Sequence, residues 1–531
     1  MVVRAFRSRH RPAPAAIWLP GLLVVAATFI PAWYLAKRSS ERGWEPWQRA
    51  LENSAVPLMS RSLGLALTVA AASVLIAVPA AWLTTRAAIP GRRIWAILMA
   101  APLAIPSYIV AMTVVDFLGP RGTLQGWLEP FGAGRLPEIY GFWGASFTLT
   151  AASFPYVYLV LRAAFATADV SEEEASRSLG AGPLRTFFRV VLPGLVPAIA
   201  AGVLLVVLYT LSDFGAVSTL GYDTFTRSIF IEYQTSFDRT GAAVLGSMLA
   251  MVAAVILAAE LGIRSRMGRR TSRRQSLMRP VPLGRWAWPA LAFLGLVAAV
   301  SLGLPLGVLT WWLIKGIQAE ATFPDITLAA RHSLALGIGG AVVSVLLALP
   351  VAILAARYVS PLGSLVEQAA YLTHALPGVV VALALVFFGI GYARDLYQTT
   401  WMLLLAYVIL FLPNALSALR ASLLRQPRRL EDAGASLGRS PLRVIFTVTI
   451  PLARPGMVSA SLLVFLTVMK ELPATLLLSP PGYETLPGLV WSRSTDALYA
   501  GAALPALVLV GLAAIPVAVL TWRGELGSLE S

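Results

Sequence analysis

The sequence predicts an all-α polytopic membrane protein with about twelve transmembrane helices. Of its 531 residues, 57% are hydrophobic and only 13% are charged, and the mean hydropathy is +0.74. Apolar runs of about 20 residues, the length that spans a bilayer core, recur along the chain and are apolar on every side, unlike amphipathic helices of soluble folds. They include 63–83, 94–115, 198–211, 334–355 and 504–520. Pro106 and Pro377 are predicted to kink the third and ninth spans.

The basic residues predict how these helices are oriented. The first apolar stretch, residues 17–35, follows four arginines in the manner of a signal sequence. We interpret it as the first span, because further spans follow and no small-residue cleavage site ends it. With the N-terminus inside, most of the 42 Lys and Arg residues fall on one side, which predicts cytoplasmic termini and a bacterial inner-membrane location. The net charge of +16 then reports topology, so nucleic-acid binding is not expected.

Composition also argues against several kinds of site. The chain has no cysteine, so disulfides and thiolate metal sites are excluded, and its three histidines are too scattered for a ligand cluster. We therefore expect no metal site in this chain. The spans contain no nucleophile paired with a base, which argues against a membrane-embedded enzyme. The sequence has no Gly-x-x-x-x-Gly-Lys-Ser/Thr phosphate loop, so we expect no ATP hydrolysis by this chain.

The chain is a tandem repeat of two similar halves. Pro155 and Pro413 are 258 residues apart, as are many other matched pairs, whereas earlier pairs such as Ser62 and Ser333 are 271 apart. A longer external loop near 119–140 accounts for the difference. We predict a first half at 1–261, a basic cytoplasmic linker at 262–286 that acts as a tether or binds anionic lipid, and a second half at 287–531. Six spans in each half make the halves parallel, related by a pseudo-twofold axis along the membrane normal.

One polar segment occurs in each half, near 169–197 and near 425–455. It reads EEEASRSLGAGPLR from residue 172 and LEDAGASLGRSPLR from residue 430. A glycine that ends one helix and a proline in the first turn of the next predict a helix, a sharp turn and a second helix on the cytoplasmic face. Small and charged side chains there suit a docking surface, so two matched copies indicate two copies of one cytoplasmic partner. The candidate contacts are Glu173, Glu174, Ala175, Gly180, Pro183, Arg185, Glu431, Asp432, Ala433, Gly438, Pro441 and Arg443.

These segments resemble the EAA loop of ABC importer permeases. The resemblance rests on EEASRSLG from residue 173 and EDAGASLG from residue 431, with Asp432, Ser176 and Gly434 as departures from the acidic-alanine-alanine pattern. It implies a type I ABC importer fold in which each loop carries a coupling helix that seats in an ATP-binding subunit. It also implies an extracytoplasmic solute-binding protein as a partner. ATP and magnesium belong to the two partner subunits, with no cofactor in this chain.

Two further stretches resemble the ferric-iron branch of the fused permeases. They read LSDFGAVSTLG from residue 211 and KELPATLLLSPPGYETLP from residue 470. Ferric iron is therefore the expected substrate, with thiamine or a 2-aminoethylphosphonate-like organic substrate as the alternative. A secondary transporter of two parallel halves is the rival class. It would place its basic residues in loops between spans 2 and 3 and between 8 and 9, which are short here.

Acidic and phenolic side chains near the outer ends of the spans are candidates for substrate contact. Asp213 and Glu471 occupy matched positions, and charged groups in spans usually mark a pathway or a pair. Beyond them both halves carry the sequence Gly-Tyr-acid-Thr. Its candidate residues are Tyr222, Asp223, Tyr483 and Glu484. Oxygen ligands suit a hard cation, so these residues contact ferric ion, contact a binding protein, or have a purely structural role.

Overall fold

A computed structural model shows an array of α-helices. The structure describes residues 14–120, 122–132, 134–168, 171–236, 239–266, 280–320, 325–358, 361–372 and 376–527. The helices are α1 (Ala15–Ser40), α2 (Glu45–Arg86), α3 (Arg92–Ala104), α4 (Ser107–Leu118), α5 (Thr123–Leu128), α6 (Phe142–Thr167), α7 (Ser171–Ser178), α8 (Pro183–Ser212), α9 (Gly215–Thr219), α10 (Phe225–Thr235), α11 (Thr240–Arg266), α12 (Gly284–Gln318), α13 (Ile326–Arg357), α14 (Pro361–Leu372), α15 (Gly378–Tyr392), α16 (Thr400–Arg425), α17 (Arg429–Ser436), α18 (Pro441–Met469), α19 (Pro473–Leu478), α20 (Leu486–Thr495) and α21 (Tyr499–Gly527). Within these residues the extended pairing is one isolated bridge, between Ala87 and Val281.

The predicted membrane helices are confirmed. In the described part of the chain, ten helices are long and apolar enough to cross a bilayer, and a bent pair beginning with α3 and α4 makes eleven. The two arms of that pair meet at 95°. The kink predicted at Pro106 is thus a complete break, because the residue before a proline is pushed out of the helical region and Ile105 has ψ 120°. The corresponding part of the second half contains α14 and α15, which have 12 and 15 residues.

Prolines also shape the long helices from within. Among the described residues, four five-residue π-helical segments each end two positions before a proline. They are Leu51–Ala55 before Pro57, Phe187–Val191 before Pro193, Ala299–Gly303 before Pro305, and Ile445–Thr449 before Pro451. Proline has no N–H and its ring displaces the carbonyl four residues earlier, so a wider turn absorbs it without ending the helix.

The order of helices repeats along the chain. Helix α1 corresponds to α12, and α2 to α4 with α6 to α11 correspond to α13 to α21. The extra helix α5 lies in the longer loop of the first half. Two compact units cut across this order: one contains α1 up to Arg38 together with Arg331–Tyr483, and the other contains Ser39–Ala330 with the chain from Glu484 onwards. The half boundaries at 1–261 and 287–531 stay a prediction, and most of the predicted linker, 267–279, lies outside the described residues.

In the unit that contains α2, that helix packs against α6 and α8. Leu65 and Tyr158 are fully buried there, and the hydroxyls of Tyr158 and Thr84 lie 3.0 Å apart. The opposite face of α2 exposes Leu67 and Leu75 at 62% and 76%. Since such apolar surface is costly in water, this face suits lipid.

In the unit that contains α13, helix α16 packs against α18 and α15 packs against α19. The hydroxyls of Tyr407 and Thr475 lie 2.7 Å apart between α16 and α19. Helix α1 joins this unit through Tyr34, whose ring stacks on Phe387 of α15 with 5.9 Å between the ring centroids. Buried hydroxyl pairs of this kind satisfy polar groups for which lipid offers no partner.

Candidate functional site

The first polar segment forms a tight turn between α7 and α8. Gly180 has φ +83°, a left-handed conformation that glycine adopts without strain. Its N–H donates to the carbonyl of Arg177 at 2.9 Å, and the N–H of Ala181 donates to Ser176 at 3.1 Å. These are the two hydrogen bonds of a Schellman motif, and they end α7 as the sequence predicted.

The second segment repeats this turn between α17 and α18. Gly438 has φ +80°, and its N–H donates to Ala435 at 3.1 Å while the N–H of Arg439 donates to Gly434 at 3.4 Å. The hydroxyl of Ser440 then caps α18 by accepting from the N–H of Arg443 at 3.4 Å. The two similar sequences therefore adopt the same backbone turn in both halves.

The sequence predicted a second surface helix after each turn, but the structure shows a long apolar helix there. Pro183 and Pro441 begin α8 and α18, which continue through their π-helical segments for 30 and 29 residues. The polar Pro-Leu-Arg sequence is followed at once by apolar residues, so nothing ends the helix before it becomes a span. Each short helix, α7 and α17, is thus joined to a span by a short, fixed turn.

Most of the predicted docking residues are exposed. They are Glu174, Ala175, Gly180, Pro183, Arg185, Asp432, Ala433, Gly438, Pro441 and Arg443. Of the apolar side chains beside them, Leu179 and Leu437 have the highest exposed fractions, at 89% and 79%. The docking residues predicted from the sequence did not include these leucines, although the repeated Leu-Gly pair was a signal for them. We call each leucine, together with the exposed residues of its own segment, a coupling surface, after the role that the resemblance implies.

Glu173 and Glu431 point the other way. Glu173 pairs with Arg86 at the end of α2, with 3.2 Å between Oε1 and Nη1. Glu431 pairs with Arg357 at the end of α13, with 2.8 Å between Oε1 and Nε. In both pairs the arginine side chain is 6% exposed and the glutamate 18%. These two glutamates therefore face the chain's own helices, and their predicted contact with an ATP-binding subunit stays a prediction.

Asp213 lies where α8 ends and α9 begins, and it is buried. Its Oδ1 accepts from the N–H of Ala216 at 2.9 Å, so the carboxylate caps α9. Its Oδ2 accepts a hydrogen bond from the hydroxyl of Ser107, the first residue after the break between α3 and α4. The carboxylate thus holds together three segments of one unit, which is a structural role.

Glu471 occupies the matched position with a longer side chain. Its Oε1 accepts from the N–H of Ala474 at 3.0 Å and caps α19. The residue that matches Ser107 is Gly378, where a Cβ atom would lie 2.6 Å from Oε1 of Glu471. The two halves therefore differ in a complementary way. The shorter acid, Asp213, is paired with serine in the first half, and the longer acid, Glu471, is paired with glycine in the second.

This complementarity predicts the outcome of exchanging the pairs. Asp213→Glu alone is expected to lower the melting temperature of the purified protein, because the added methylene crowds Ser107 in a buried site; such overpacking costs about 1–3 kcal/mol. Adding Ser107→Gly is expected to recover most of the loss by reproducing the pair of the second half. Equal melting temperatures for the single and double variants would contradict this account, and Ser107→Gly alone is the control.

The Gly-Tyr-acid-Thr sequence of the first half forms the turn between α9 and α10. Gly221 has φ +64°, and Asp223 pairs with Arg61 of α2 at 3.5 Å and with Arg227. The hydroxyl of Tyr222 donates to the carbonyl of Arg61 at 3.4 Å. Partial burial raises the pKa of Tyr222, so the phenol is protonated at neutral pH.

The second half repeats the turn with different partners. Gly482 has φ +75°, and the ring of Tyr483 stacks on His332 of α13 with 3.8 Å between the centroids. Burial raises the pKa of Tyr483 as well. Thr485 caps α20 by accepting from Gly488 at 3.3 Å, and Glu484 is exposed. Across the described residues, no group of three or more His, Cys, Asp or Glu side chains is arranged to hold a metal ion.

A family model described as binding-protein-dependent transport system inner membrane component matches the chain twice. The matches cover residues 73–266 and 348–522, more than half of the chain, and each includes one coupling surface. The chain belongs to this permease family. The permease is thus an inner-membrane component with two fused halves, and the resemblance to ABC importer permeases, with their type I fold, is confirmed.

Several curated relatives of the permease are known by name. The Fe(3+)-transport system permease protein FbpB 2 of Haemophilus influenzae is 35% identical over 522 residues, which cover 96% of the permease and 99% of the relative. The ferric transport system permease protein FbpB of Actinobacillus pleuropneumoniae is 24% identical over 84% of the permease and 68% of its own length. The sulfate transport system permease protein CysT of Synechococcus elongatus is 30% identical over 40% of the permease and 77% of its own length. The two iron relatives match far more of the permease than this sulfate relative does.

Proposed function

We propose that the chain is the transmembrane subunit of an ATP-driven importer for ferric iron delivered by a periplasmic or extracytoplasmic binding protein. The observation that carries this proposal is the full-length similarity to the Haemophilus influenzae iron permease, which spans both halves. The sulfate relative matches a stretch of 216 residues and shares less of the chain. The iron relative matches both halves of the chain, so it is the better guide to the substrate.

Two ATP-binding subunits would dock on the two coupling surfaces, which we place on the cytoplasmic side with both chain termini. ATP and magnesium would be held by those subunits, and this chain would move without hydrolysing ATP. Closure of the subunits on ATP would draw the coupling helices together and open the outer side. The tight Schellman turns at Gly180 and Gly438 support this role, because they join each short helix to a span with little slack.

The outer turns would contact the binding protein. Asp223 is held by Arg61 and Arg227 at a partly exposed position, and Glu484 is exposed in the matching turn. Charges at a rim of this kind steer a partner and fix its orientation. The hydroxyl of Tyr222 donates to the carbonyl of Arg61 and the ring of Tyr483 stacks on His332, so both side chains already have partners in the chain, which favours this contact over direct ligation of ferric ion.

The test is ATPase activity of the permease co-purified with its ATP-binding subunits and reconstituted in lipid. We expect the iron-loaded binding protein to raise the activity several-fold above the basal rate, and the iron-free binding protein to raise it less. Binding proteins loaded with sulfate, thiamine or 2-aminoethylphosphonate are the controls. Stimulation by one of these and not by iron would reassign the substrate, and failure of any ATP-binding subunit to co-purify would refute the importer itself.

A further inference from the structure

Helices α2 and α13 each connect a coupling helix to an outer turn. At one end of α2, Arg86 pairs with Glu173 of α7. Towards its other end, Arg61 pairs with Asp223 and its carbonyl accepts from Tyr222. The next residue, Ser62, accepts from the backbone N–H at position 225 at 3.2 Å. One helix thus touches both predicted functional regions of its unit.

Helix α13 repeats the arrangement. Arg357 pairs with Glu431 at one end, and His332 stacks on Tyr483 towards the other. Arg61 and Arg86 are 25 residues apart, as are His332 and Arg357. At 1.5 Å per residue this spacing corresponds to about 38 Å, more than the thickness of a bilayer core.

The ion pairs at the inner ends of α2 and α13, Arg86 with Glu173 and Arg357 with Glu431, resist separation. A buried ion pair resists separation, because pulling it apart leaves a charge without a partner in a medium of low polarity. In the second half the Glu431 carboxylate is also held by Thr449 of α18, whose hydroxyl donates to Oε1 at 3.1 Å. Arg428, just before α17, donates to the carbonyl of Ala356 at 2.7 Å. Coupling helix α17 is therefore tied to α13 at two points.

The two inner pairs use different nitrogens of the guanidinium group. Glu173 is bound by Nη1 of Arg86, whereas Glu431 is bound by Nε of Arg357. Nε and Nη2 of Arg86, and Nη2 of Arg357, are buried without a hydrogen-bond partner. Since each guanidinium has spare donors facing the protein, the carboxylate can shift between nitrogens while the pair stays intact.

The residue after each inward acid faces outward. Glu174 and Asp432 are exposed on the coupling surfaces, one position from Glu173 and Glu431. Adjacent positions on a helix point about 100° apart, so one acid can serve the chain's own span while its neighbour serves a partner. In each adjacent pair of acids, the first therefore contacts the chain's own span and the second is available to a partner.

We propose that α2 and α13 are coupling rods. Glu173 and Glu431 are positioning residues that pass the movement of α7 and α17 through Arg86 and Arg357 to the outer turns. This proposal rests on the proposed importer function, because the movement comes from docked ATP-binding subunits. It assigns Glu173 and Glu431 to transmission within the chain and leaves docking to the exposed residues beside them.

The test compares inner and outer acids in the reconstituted complex. The double variant Glu173→Gln with Glu431→Gln should retain co-purification of the ATP-binding subunits and basal ATPase activity. The increase in activity above the basal rate that loaded binding protein causes should fall at least tenfold. The matched control, Glu174→Gln with Asp432→Asn, should weaken co-purification and leave stimulation per bound subunit unchanged. Normal stimulation in the first variant, or loss of co-purification as its main defect, would overturn the proposal.

A second variant tests the far end of the rods and does not depend on the folding of a buried-pair variant. Arg61→Gln with His332→Gln alters side chains about 38 Å from the inner pairs. Co-purification and basal activity should be unchanged, while stimulation at a saturating concentration of binding protein falls by a similar factor. Retained stimulation would overturn the proposal that α2 and α13 act as coupling rods. If the wild-type chain binds no ATP-binding subunit, the importer function fails before these variants are compared, so the two failures are distinguishable.

Discussion

Replacing Gly180 and Gly438 together by valine is expected to abolish the stimulation of ATPase activity by loaded binding protein. Both glycines have φ near +80°, where an L-residue costs roughly 1–2 kcal/mol and a β-branched one more. The two turns would open, and α7 and α17, each eight residues long, have too few internal hydrogen bonds to hold their orientation alone. The measurement is ATPase activity of the complex in lipid with and without the binding protein.

The chain offers a matched control for this prediction. A Cβ atom at Gly180, at Gly438 or at Gly182 meets no other atom within 4 Å, so steric crowding does not distinguish these positions. Gly182 has φ −65°, which any residue adopts, and Gly182→Val should leave stimulation intact. Asparagine tolerates the left-handed conformation, so Gly180→Asn with Gly438→Asn should be milder than valine. Equal effects at all three positions would refute a role for turn conformation.

Replacing Leu179 and Leu437 together by aspartate is expected to prevent co-purification of the ATP-binding subunits. Each leucine is largely exposed in the isolated chain and would be buried in a docked complex. Burial of a leucine side chain contributes about 1.5–3 kcal/mol, so each ATP-binding subunit loses roughly ten- to a hundredfold in affinity for its own coupling surface. A buried carboxylate would add a desolvation cost. The measurement is the amount of ATP-binding subunit recovered per permease after affinity purification in detergent.

Leu179→Met with Leu437→Met is the control, because methionine keeps the apolar volume. Its recovery of ATP-binding subunits should match wild type, as should its melting temperature. The aspartate variant should also melt like wild type, since neither leucine contributes to the core. Wild-type recovery of the subunits by the aspartate variant would show that docking uses other residues.

Local features of the sequence predicted the spans and the repeat. The length of an apolar run, a glycine after a short polar helix and a proline three residues later act within a few positions, so their effects can be predicted without knowledge of the fold. For this reason the turns at Gly180 and Gly438 have the predicted form in both halves. The bend at Pro106 is sharper than the predicted kink, and the helix that begins at Pro183 continues as a span, because both depend on how far a helix extends past a proline.

By itself, the sequence determined the class of this protein, its two similar halves and the place of the turns at Gly180 and Gly438, all of which follow from local hydropathy and backbone preference. Only the tertiary structure decided that Glu173 faces Arg86 while Glu174 faces outward, that Asp213 is a cap, and that Tyr222 meets Arg61. These partners are far apart in sequence, and helices that are apolar on every side carry no periodic pattern to mark the buried face. The packing of α2 and α13 against their neighbours therefore fixes which charges meet.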